Sequence, residues 1–195
     1  MGVGEVLDQI RAHYLERMTT YYTERRQNHE PIGMESVLRD AEGAPILDGP
    51  LRLPMRVDAV SIVDGKAGEI VEIATETELS VEPLTFTWES TLEVTLSGFT
   101  WNRIQVTITS KEPPIGLEPI WRWYQKWFRA DIEARFDRDE LTLAGAIHSL
   151  EGPTQTESGA TTMIVDLGSA RIQAFEEMLD ACKVAGFSQA VIGKA

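Results

Sequence analysis

Residues 84–96, LTFTWESTLEVTL, show the most regular alternation of apolar and polar side chains in the chain. The apolar positions share one parity: Leu84, Phe86, Trp88, Leu92, Val94 and Leu96. Successive side chains of a β-strand point to opposite faces of the sheet, so a period of two predicts a half-buried strand. We therefore predict a strand over residues 84–96 with one dry and one solvated face.

Neighbouring stretches extend this strand into a longer sheet. Three of them show the same alternation: residues 51–59, 71–81 and 104–108. Glycine-containing turns at residues 64–68 and at Ser97-Gly98 would connect them, and Pro83 separates the second strand from the third because proline cannot donate to a ladder. The pattern predicts a long antiparallel β-meander.

Three segments have helical rather than strand periodicity. In residues 3–28, apolar side chains recur every three or four positions, which predicts an amphipathic helix. A tryptophan-rich segment from Pro119 to about Arg138 predicts a second helix, and residues 169–185 predict a third. Residues 31–50 carry turn-forming glycines and prolines, with one short helical turn expected over Met34 to Asp40. Strands are expected over residues 141–150, 160–167 and 187–192, with a polar loop over residues 152–159.

The predicted fold class is α+β, with the amino-terminal helix and its connection in residues 1–50 packed on one α+β unit in residues 51–195. From residue 99 onward the element order is β-α-β-β-α-β, as in the ferredoxin-like fold. In that fold the first strand has neighbours on both sides, which conflicts with its pairing to the strand over residues 84–96. Either one strand is displaced, or the meander forms a larger curved sheet with helices on its dry face.

The amino-acid composition limits which binding partners and which cellular location we expect. The 195 residues carry a formal charge of −13, which disfavours binding to nucleic acid or to an anionic membrane surface. One cysteine, Cys182, excludes an internal disulfide, and the first ten residues lack an export signal. No apolar run is long enough to span a bilayer. We expect a cytoplasmic protein without membrane association.

Catalytic and metal motifs are not recognisable in the sequence. The three histidines, His13, His29 and His148, show no metal-ligand spacing, and Cys182 falls on the apolar face of a predicted helix. Phosphate loops, nucleophile elbows and dinucleotide fingerprints are also missing from the sequence. We therefore predict no catalytic residue, no metal and no cofactor, and do not favour an enzyme.

Three local features could still hold a ligand. Asp166 and Ser169 lie where a strand meets a helix, where free N–H groups would bind an anion; the alternative is that Ser169 caps the helix and Asp166 supports the turn. Asp131 and Arg135 fall on the predicted tryptophan-rich helix. They could form a polar pair that lines a pocket, or they could mark the end of the helix where it emerges into solvent. Four glutamates share the polar face of one predicted strand: Glu72, Glu76, Glu78 and Glu82. This face could bind a cation or a basic partner, or it could simply be the solvated exterior of the sheet.

Two functional hypotheses follow. The first is a non-enzymatic interaction protein that binds a protein partner or a second copy of itself through the amino-terminal and tryptophan-rich helices. Its basis is that the apolar face of the tryptophan-rich helix is wider than packing on one sheet requires. The alternative is a small-molecule-binding protein or enzyme with a pocket between the dry face and the helices. Its candidate lining is Trp88, Trp101, Trp123 and Trp127, with Asp131, Arg135 or His148 as polar groups.

Overall fold

The computed structural model describes residues 2–73, 82–137, 140–157 and 159–195. Its helices are α1 (Val3–Gln27), α2 (Glu118–Phe128) and α3 (Ile172–Val184). The first strands are β1 (Ile32–Val37), β2 (Leu47–Asp48), β3 (Leu53–Pro54), β4 (Arg56–Val63), β5 (Lys66–Val71), β6 (Leu84–Trp88) and β7 (Leu92–Leu96). The remaining strands are β8 (Ile104–Thr109), β9 (Arg135–Asp137), β10 (Glu140–Thr142), β11 (Ser149–Gln155), β12 (Thr161–Asp166) and β13 (Gln189–Lys194).

The predicted fold class is confirmed. A six-stranded sheet has the order β11-β12-β8-β13-β7-β6, and its first four strands with α2 and α3 form the β-α-β-β-α-β unit. Within that unit β8 lies between β12 and β13 and is antiparallel to both. The first strand therefore has two neighbours, as the ferredoxin-like arrangement requires.

The conflict between the meander and the ferredoxin-like order is resolved at β13. Strand β7 does not pair with β8 but runs parallel to β13, with Leu96 opposite Ile192. The Ser97 N–H donates to the Ile192 carbonyl at 2.9 Å, and the chain then passes the end of β13 to reach β8. The prediction of a tight turn at Ser97-Gly98 was wrong. The segment that contains these residues connects β7 to β8, and β13 lies between these two strands in the sheet.

Residues 84–96 form a hairpin and not a single strand. The chain reverses at Glu89 and Ser90, whose φ angles are 41° and 65°, and the Thr91 N–H donates to the Trp88 carbonyl at 3.1 Å. Leu84 then pairs with Leu96. Apolar positions keep the same parity on both sides of the turn, so the alternation continues through it. Glu-Ser also lacks the glycine that usually marks two positive φ angles.

The tryptophan-rich helix is shorter than predicted. Helix α2 ends at Phe128 because Arg129 adopts the left-handed conformation, with φ 50°. Residues expected on its last turns instead form β9, which pairs with β10. Downstream, residues 143–148 connect β10 to β11, so the single strand expected over residues 141–150 is divided, and β11 continues into the segment expected as a loop.

A second sheet, β1-β4-β5, contains the first predicted hairpin. Strands β4 and β5 turn at Asp64-Gly65 as expected. The helical turn predicted over Met34 to Asp40 was wrong, because residues 32–37 form β1 and pair with β4. The strands of the expected meander are thus divided between two sheets. Most of the strand predicted over residues 71–81 lies outside the described residues.

Helices α1, α2 and α3 bury their apolar faces in one continuous core with the six-stranded sheet. Helix α1 contributes the buried side chains Val6, Leu7, Ile10, Tyr14, Met18 and Tyr22. Strand β12 buries Met163 and Val165 in this core, so Ile164 and Asp166 point to the opposite face. In the described part of the chain, none of the helices is long and apolar enough to cross a membrane.

Candidate functional site

Buried polar residues concentrate where the two sheets meet. In the described part of the chain, the buried polar side chains are Glu35, Arg56, Asp58, His148, Thr161, Asp166 and Ser169. All but Thr161 belong to one connected group, which we call the buried cluster. Burying a charge costs free energy unless it is paired and hydrogen-bonded. The cluster therefore needs a structural or functional explanation.

Strands β1 and β4 supply the first half of the cluster. Their register pairs Met34 with Ala59 and Ser36 with Val57, which places Glu35 opposite Asp58. Glu35 has a φ of 44°, a conformation that side chains with a Cβ rarely adopt. It is also fully buried. The backbone is thus strained at the residue that brings a carboxylate inside.

The imidazole of His148 lies at the centre of the cluster. Its Nε2 is 3.0 Å from Oε1 of Glu35, which also accepts the hydroxyl of Ser169. The second Glu35 oxygen accepts the Ala144 N–H at 2.6 Å. Gly168 leaves room for the ring, since a Cβ there would clash with it. These contacts fix the orientation of the imidazole.

The other ring nitrogen faces two carboxylates. Nδ1 of His148 is 3.0 Å from Oδ1 of Asp58 and 3.7 Å from Oδ2 of Asp166. The Asp166 oxygen is too distant for a hydrogen bond, and the Asp58 oxygen is within reach but does not form one, so the fully buried Nδ1 makes no hydrogen bond in the structure. Together these three residues offer ligand atoms within 4.8 Å of one another. They are the residues in the described part of the chain that could hold a metal ion.

Both aspartates are themselves held in place. Oδ1 of Asp58 accepts the hydroxyl of Tyr14, and Oδ2 accepts the Ile73 N–H at 2.6 Å. Oδ1 of Asp166 accepts the Gly168 N–H at 2.8 Å. Each carboxylate is therefore oriented by a group on a different element.

The close packing of ionisable groups shifts their pKa values. Burial alone would lower the pKa of His148, but Asp166, Asp58 and Glu35 outweigh it and hold that pKa well above its usual value. Burial, with the charge of Asp58, raises the pKa of Asp166 despite the opposing effect of His148. Burial would raise the pKa of Glu35, yet hydrogen bonds from His148 and Ser169 bring it below normal. The surrounding carboxyl groups thus favour the charged form of the imidazole.

Arg56 joins the cluster to the end of helix α2. Its guanidinium donates to the carbonyls of Glu35 at 2.7 Å, Phe128 at 3.1 Å, and Arg129 and Ile132 at 2.6 Å each. Carbonyl oxygens at a helix carboxyl terminus have no partners within the helix and carry partial negative charge. Arg56 thus satisfies the terminus of α2 and fixes the backbone at Glu35.

A cleft of about 600 Å³ opens between the two sheets, with Asp166 among the residues that line it. Asp166 is 8% exposed, whereas Asp58 and His148 are fully buried. The charged side chains around the cleft are Arg56, Glu72, Arg103, Glu151, Asp166 and Lys194, and its apolar ones include Leu38, Met55, Val57, Ile70 and Ile164. Among Asp58, His148 and Asp166, the residue that lines the cleft is thus Asp166.

Three predicted site residues, His148, Asp166 and Ser169, do come together. Ser169 is not a helix cap, since α3 begins at Ile172 and the Ser169 hydroxyl contacts Glu35 and the Gly145 N–H. The expected support of the turn by Asp166 is confirmed by its bond to the Gly168 N–H. An anion site built on Ser169 and the start of the helix is not formed, because two residues, Ala170 and Arg171, lie between Ser169 and the first residue of α3.

The four candidate tryptophans are not part of this cleft. Trp101 and Trp123 are buried in the core, and Trp127 and Trp88 donate to the carboxylates of Glu177 and Asp180. Asp131 and Arg135 are exposed and lie beyond the end of α2, so the helical pair predicted from them was wrong. The tryptophan spacing reflects packing in the core.

Of the predicted glutamate face, Glu72 lines the cleft and Glu82 is exposed, whereas Glu76 and Glu78 lie outside the described residues. Burial and the neighbouring charge of Asp58 raise the pKa of Glu72. Glu72 thus carries a carboxyl group to the rim of the cleft.

Sequence reasoning missed Glu35, Arg56 and Asp58. Arg56 and Asp58 alternate with apolar residues and were assigned to the solvated face of their strand. In the structure both faces of β4 are buried at these positions, because α1, β1 and the six-stranded sheet surround it. The sequence feature that could have indicated their burial is the presence of two opposite charges, Arg56 and Asp58, in a strand that is mostly apolar.

Comparison with protein-family models, with curated proteins and with solved structures finds no match for this chain.

Proposed function

We propose that this protein binds a small polar molecule in the cleft between its two sheets, with Asp166 as the carboxylate of the buried cluster that contacts the ligand. The observation that carries the proposal is the partial exposure of Asp166, next to fully buried Asp58 and His148. Buried ionisable groups with strongly shifted pKa values, located in a cleft, are characteristic of binding and catalytic sites.

Strain at Glu35 supports the same conclusion. A non-glycine residue held at positive φ costs about 1–3 kcal/mol, and such residues concentrate at functional sites. Here the strained residue supplies the carboxylate that orients His148. A fold that needed only stability would be better served by apolar side chains at these positions, since replacing a buried ion pair is often neutral or stabilising.

The cleft suits a ligand with both charged and apolar parts. Arg103 and Lys194 bring positive charge to its walls, whereas Glu72 and Glu151 bring negative charge. Its volume of about 600 Å³ is that of a typical metabolite site. We therefore expect a small zwitterionic metabolite rather than a polyanion.

Binding is favoured over covalent catalysis. Ser169 is buried and its hydroxyl contacts Glu35 instead of His148, so the imidazole is not placed to activate it. Cys182 is buried in the core, and burial raises the pKa of its thiol to about 12. Neither side chain is arranged as a nucleophile.

Amide chemical shifts test the proposal. The full-length protein, labelled with ¹⁵N, would be titrated with a library of zwitterionic metabolites, and we expect saturable shifts at Asn102, Ile164 and Asp166. Ile164→Phe narrows the cleft and should abolish them. Val191→Phe is the matched control, because Val191 is exposed on the same sheet outside the cleft. Saturable shifts that persist in Ile164→Phe, or a library without any binder, would count against the proposal.

Self-association through α1 and α2 stays a prediction. The hypothesis was motivated by more apolar surface than one sheet could cover. In the structure, most apolar residues of both helices are buried in the chain's own core, and others, such as Leu15 and Trp121, are partly buried against it. Light scattering tests it: a dimer mass at micromolar concentration would support it, and a monomer mass would not.

A further inference from the structure

We infer that Asp58, His148 and Asp166 form a binding site for one divalent transition-metal ion, which adjoins the cleft at Asp166. This inference goes beyond the cleft ligand and does not require it. It is carried by Nδ1 of His148, a fully buried ring nitrogen that makes no hydrogen bond and lies 3.0 Å from an Asp58 oxygen and 3.7 Å from an Asp166 oxygen.

The separations of the three groups fit one shared ion. Two ligands that lie about 2.1 Å from a metal are about 3.0 Å apart at a right angle and about 3.4 Å apart in a tetrahedron. Nδ1 lies 3.0 Å from Oδ1 of Asp58 and 3.7 Å from Oδ2 of Asp166, on either side of the tetrahedral value. Neither contact is a hydrogen bond, since Nδ1 is without a hydrogen-bond partner and the Asp166 oxygen lies beyond hydrogen-bond distance.

The surrounding contacts orient each ligand as metal sites require. Metal-binding histidines almost always hydrogen-bond a carboxylate or carbonyl through the other ring nitrogen, and Nε2 of His148 contacts Glu35 in this way. The Tyr14 hydroxyl and the Ile73 N–H both donate to Asp58 and hold its carboxylate in place. The Gly168 N–H donates to Oδ1 of Asp166 and not to Oδ2, the oxygen nearer His148. The ligand atoms are thus preorganised.

Access to the site comes from the cleft. Asp166 lines the cleft, and Glu72 adds a further carboxyl group to the same wall. Three protein ligands leave coordination positions open, as in catalytic rather than structural metal sites. Water or the cleft ligand would complete the coordination.

The ligand set indicates the class of metal. One imidazole nitrogen with two carboxylate oxygens suits Zn²⁺, Mn²⁺, Fe²⁺ or Co²⁺, because Mg²⁺ and Ca²⁺ prefer oxygen ligands alone. The imidazole binds in its neutral form, so the ion takes the place of the Nδ1 proton. A divalent cation also offsets the charge of the two aspartates.

Calorimetry with Zn²⁺ tests the inference. The full-length protein, freed of metal with a chelator, should bind one equivalent of Zn²⁺ with saturable heat. Asp166→Asn keeps the shape of the side chain but removes its charge, and should weaken binding by about 100-fold or more. Glu151→Gln removes a carboxylate from the same cleft outside the ligand set and should bind within about threefold of the wild type.

An unchanged affinity in Asp166→Asn, or no binding by the wild-type protein, overturns the inference. Should Asp166→Asn fail to fold, a second variant decides. His13→Gln with His29→Gln leaves His148 as the only histidine. Saturating Zn²⁺ must then shift the ¹⁵N resonance of Nδ1 in a long-range ¹H–¹⁵N spectrum, and an unshifted resonance overturns the inference. This readout is independent of any cleft ligand, so it separates failure of the metal site from failure of the proposed function.

Discussion

Glu35 and Asp58 illustrate how single residues define this site. They lie opposite each other on two paired strands, and they contact different nitrogens of the His148 imidazole: Glu35 contacts Nε2 and Asp58 contacts Nδ1. Glu35 reaches His148 from a backbone conformation that its Cβ disfavours, and Asp58 is fixed by Tyr14 of α1. The interaction energy of such a network is shared among its members, so the loss of one leaves others buried without partners.

Gly168 is the residue on which the position of His148 depends. Its φ is 50°, and an added Cβ would lie 2.6 Å from the Ala146 carbonyl oxygen and also clash with the imidazole. We predict that Gly168→Ala lowers the free energy of unfolding by about 2–4 kcal/mol, through backbone strain and overpacking together. Urea denaturation measures it.

The control for that prediction is Gly159→Ala. Gly159 also has a positive φ, of 82°, but nothing lies within 4 Å of the added Cβ. It should lose only about 1 kcal/mol, the effect of the conformation alone. Equal losses in the two variants would show that the contact with His148 is not important for stability.

Arg56 is predicted to tolerate lysine poorly. Its planar guanidinium contacts four carbonyls at once, and the ammonium of a lysine cannot reach all of them. Arg56→Lys should therefore reduce the free energy of unfolding by about 2–4 kcal/mol because buried carbonyls lose their donors. Arg52→Lys, at an exposed position four residues earlier, should change it by less than about 0.5 kcal/mol. A similar small change at both positions contradicts the role given to Arg56.

At the scale of elements, alternation predicted which residues form strands but not where one strand turns into the next. Residues 84–96 keep one parity through the turn at Glu89 and Ser90, so the sequence carries no break in its pattern. Residues 51–59 show the converse error, because β4 has both faces covered and buries charged residues that alternation assigns to solvent. Periodicity reports local geometry, whereas burial depends on which elements cover the strand.

The turn of the β6–β7 hairpin yields a prediction at this scale. Ser90 has a φ of 65°, which glycine adopts without a steric penalty. Ser90→Gly should raise the free energy of unfolding by up to about 1 kcal/mol, and Ser90→Val should lower it by about 1–2 kcal/mol. Thermal denaturation of both variants measures this. A Ser90→Gly protein that is less stable than the wild type would contradict the assigned turn.

For the whole molecule, the element order predicted from residue 99 agrees with the β-α-β-β-α-β unit of the structure, although its arrangement was expected to be modified. What could not be predicted was the place of the preceding strands: β7 and β6 extend the sheet beyond β13, while β1, β4 and β5 form a second sheet. The site depends on that arrangement. Glu35 and Asp58 meet His148 and Asp166 because the second sheet lies against the first, with the Arg56 N–H bonded to the His148 carbonyl at 2.8 Å. Such long-range contacts leave no periodic trace in the sequence.

We propose that the buried cluster is a metal-binding site and not only an ion-pair network between two sheets. A crystal of the full-length protein grown with Zn²⁺ and measured at the zinc absorption edge is the sharpest test. We expect an anomalous peak about 2.0–2.2 Å from Nδ1 of His148 and from one oxygen each of Asp58 and Asp166. A map with zinc bound elsewhere, at the exposed His29 for example, and no peak among these three residues would contradict it.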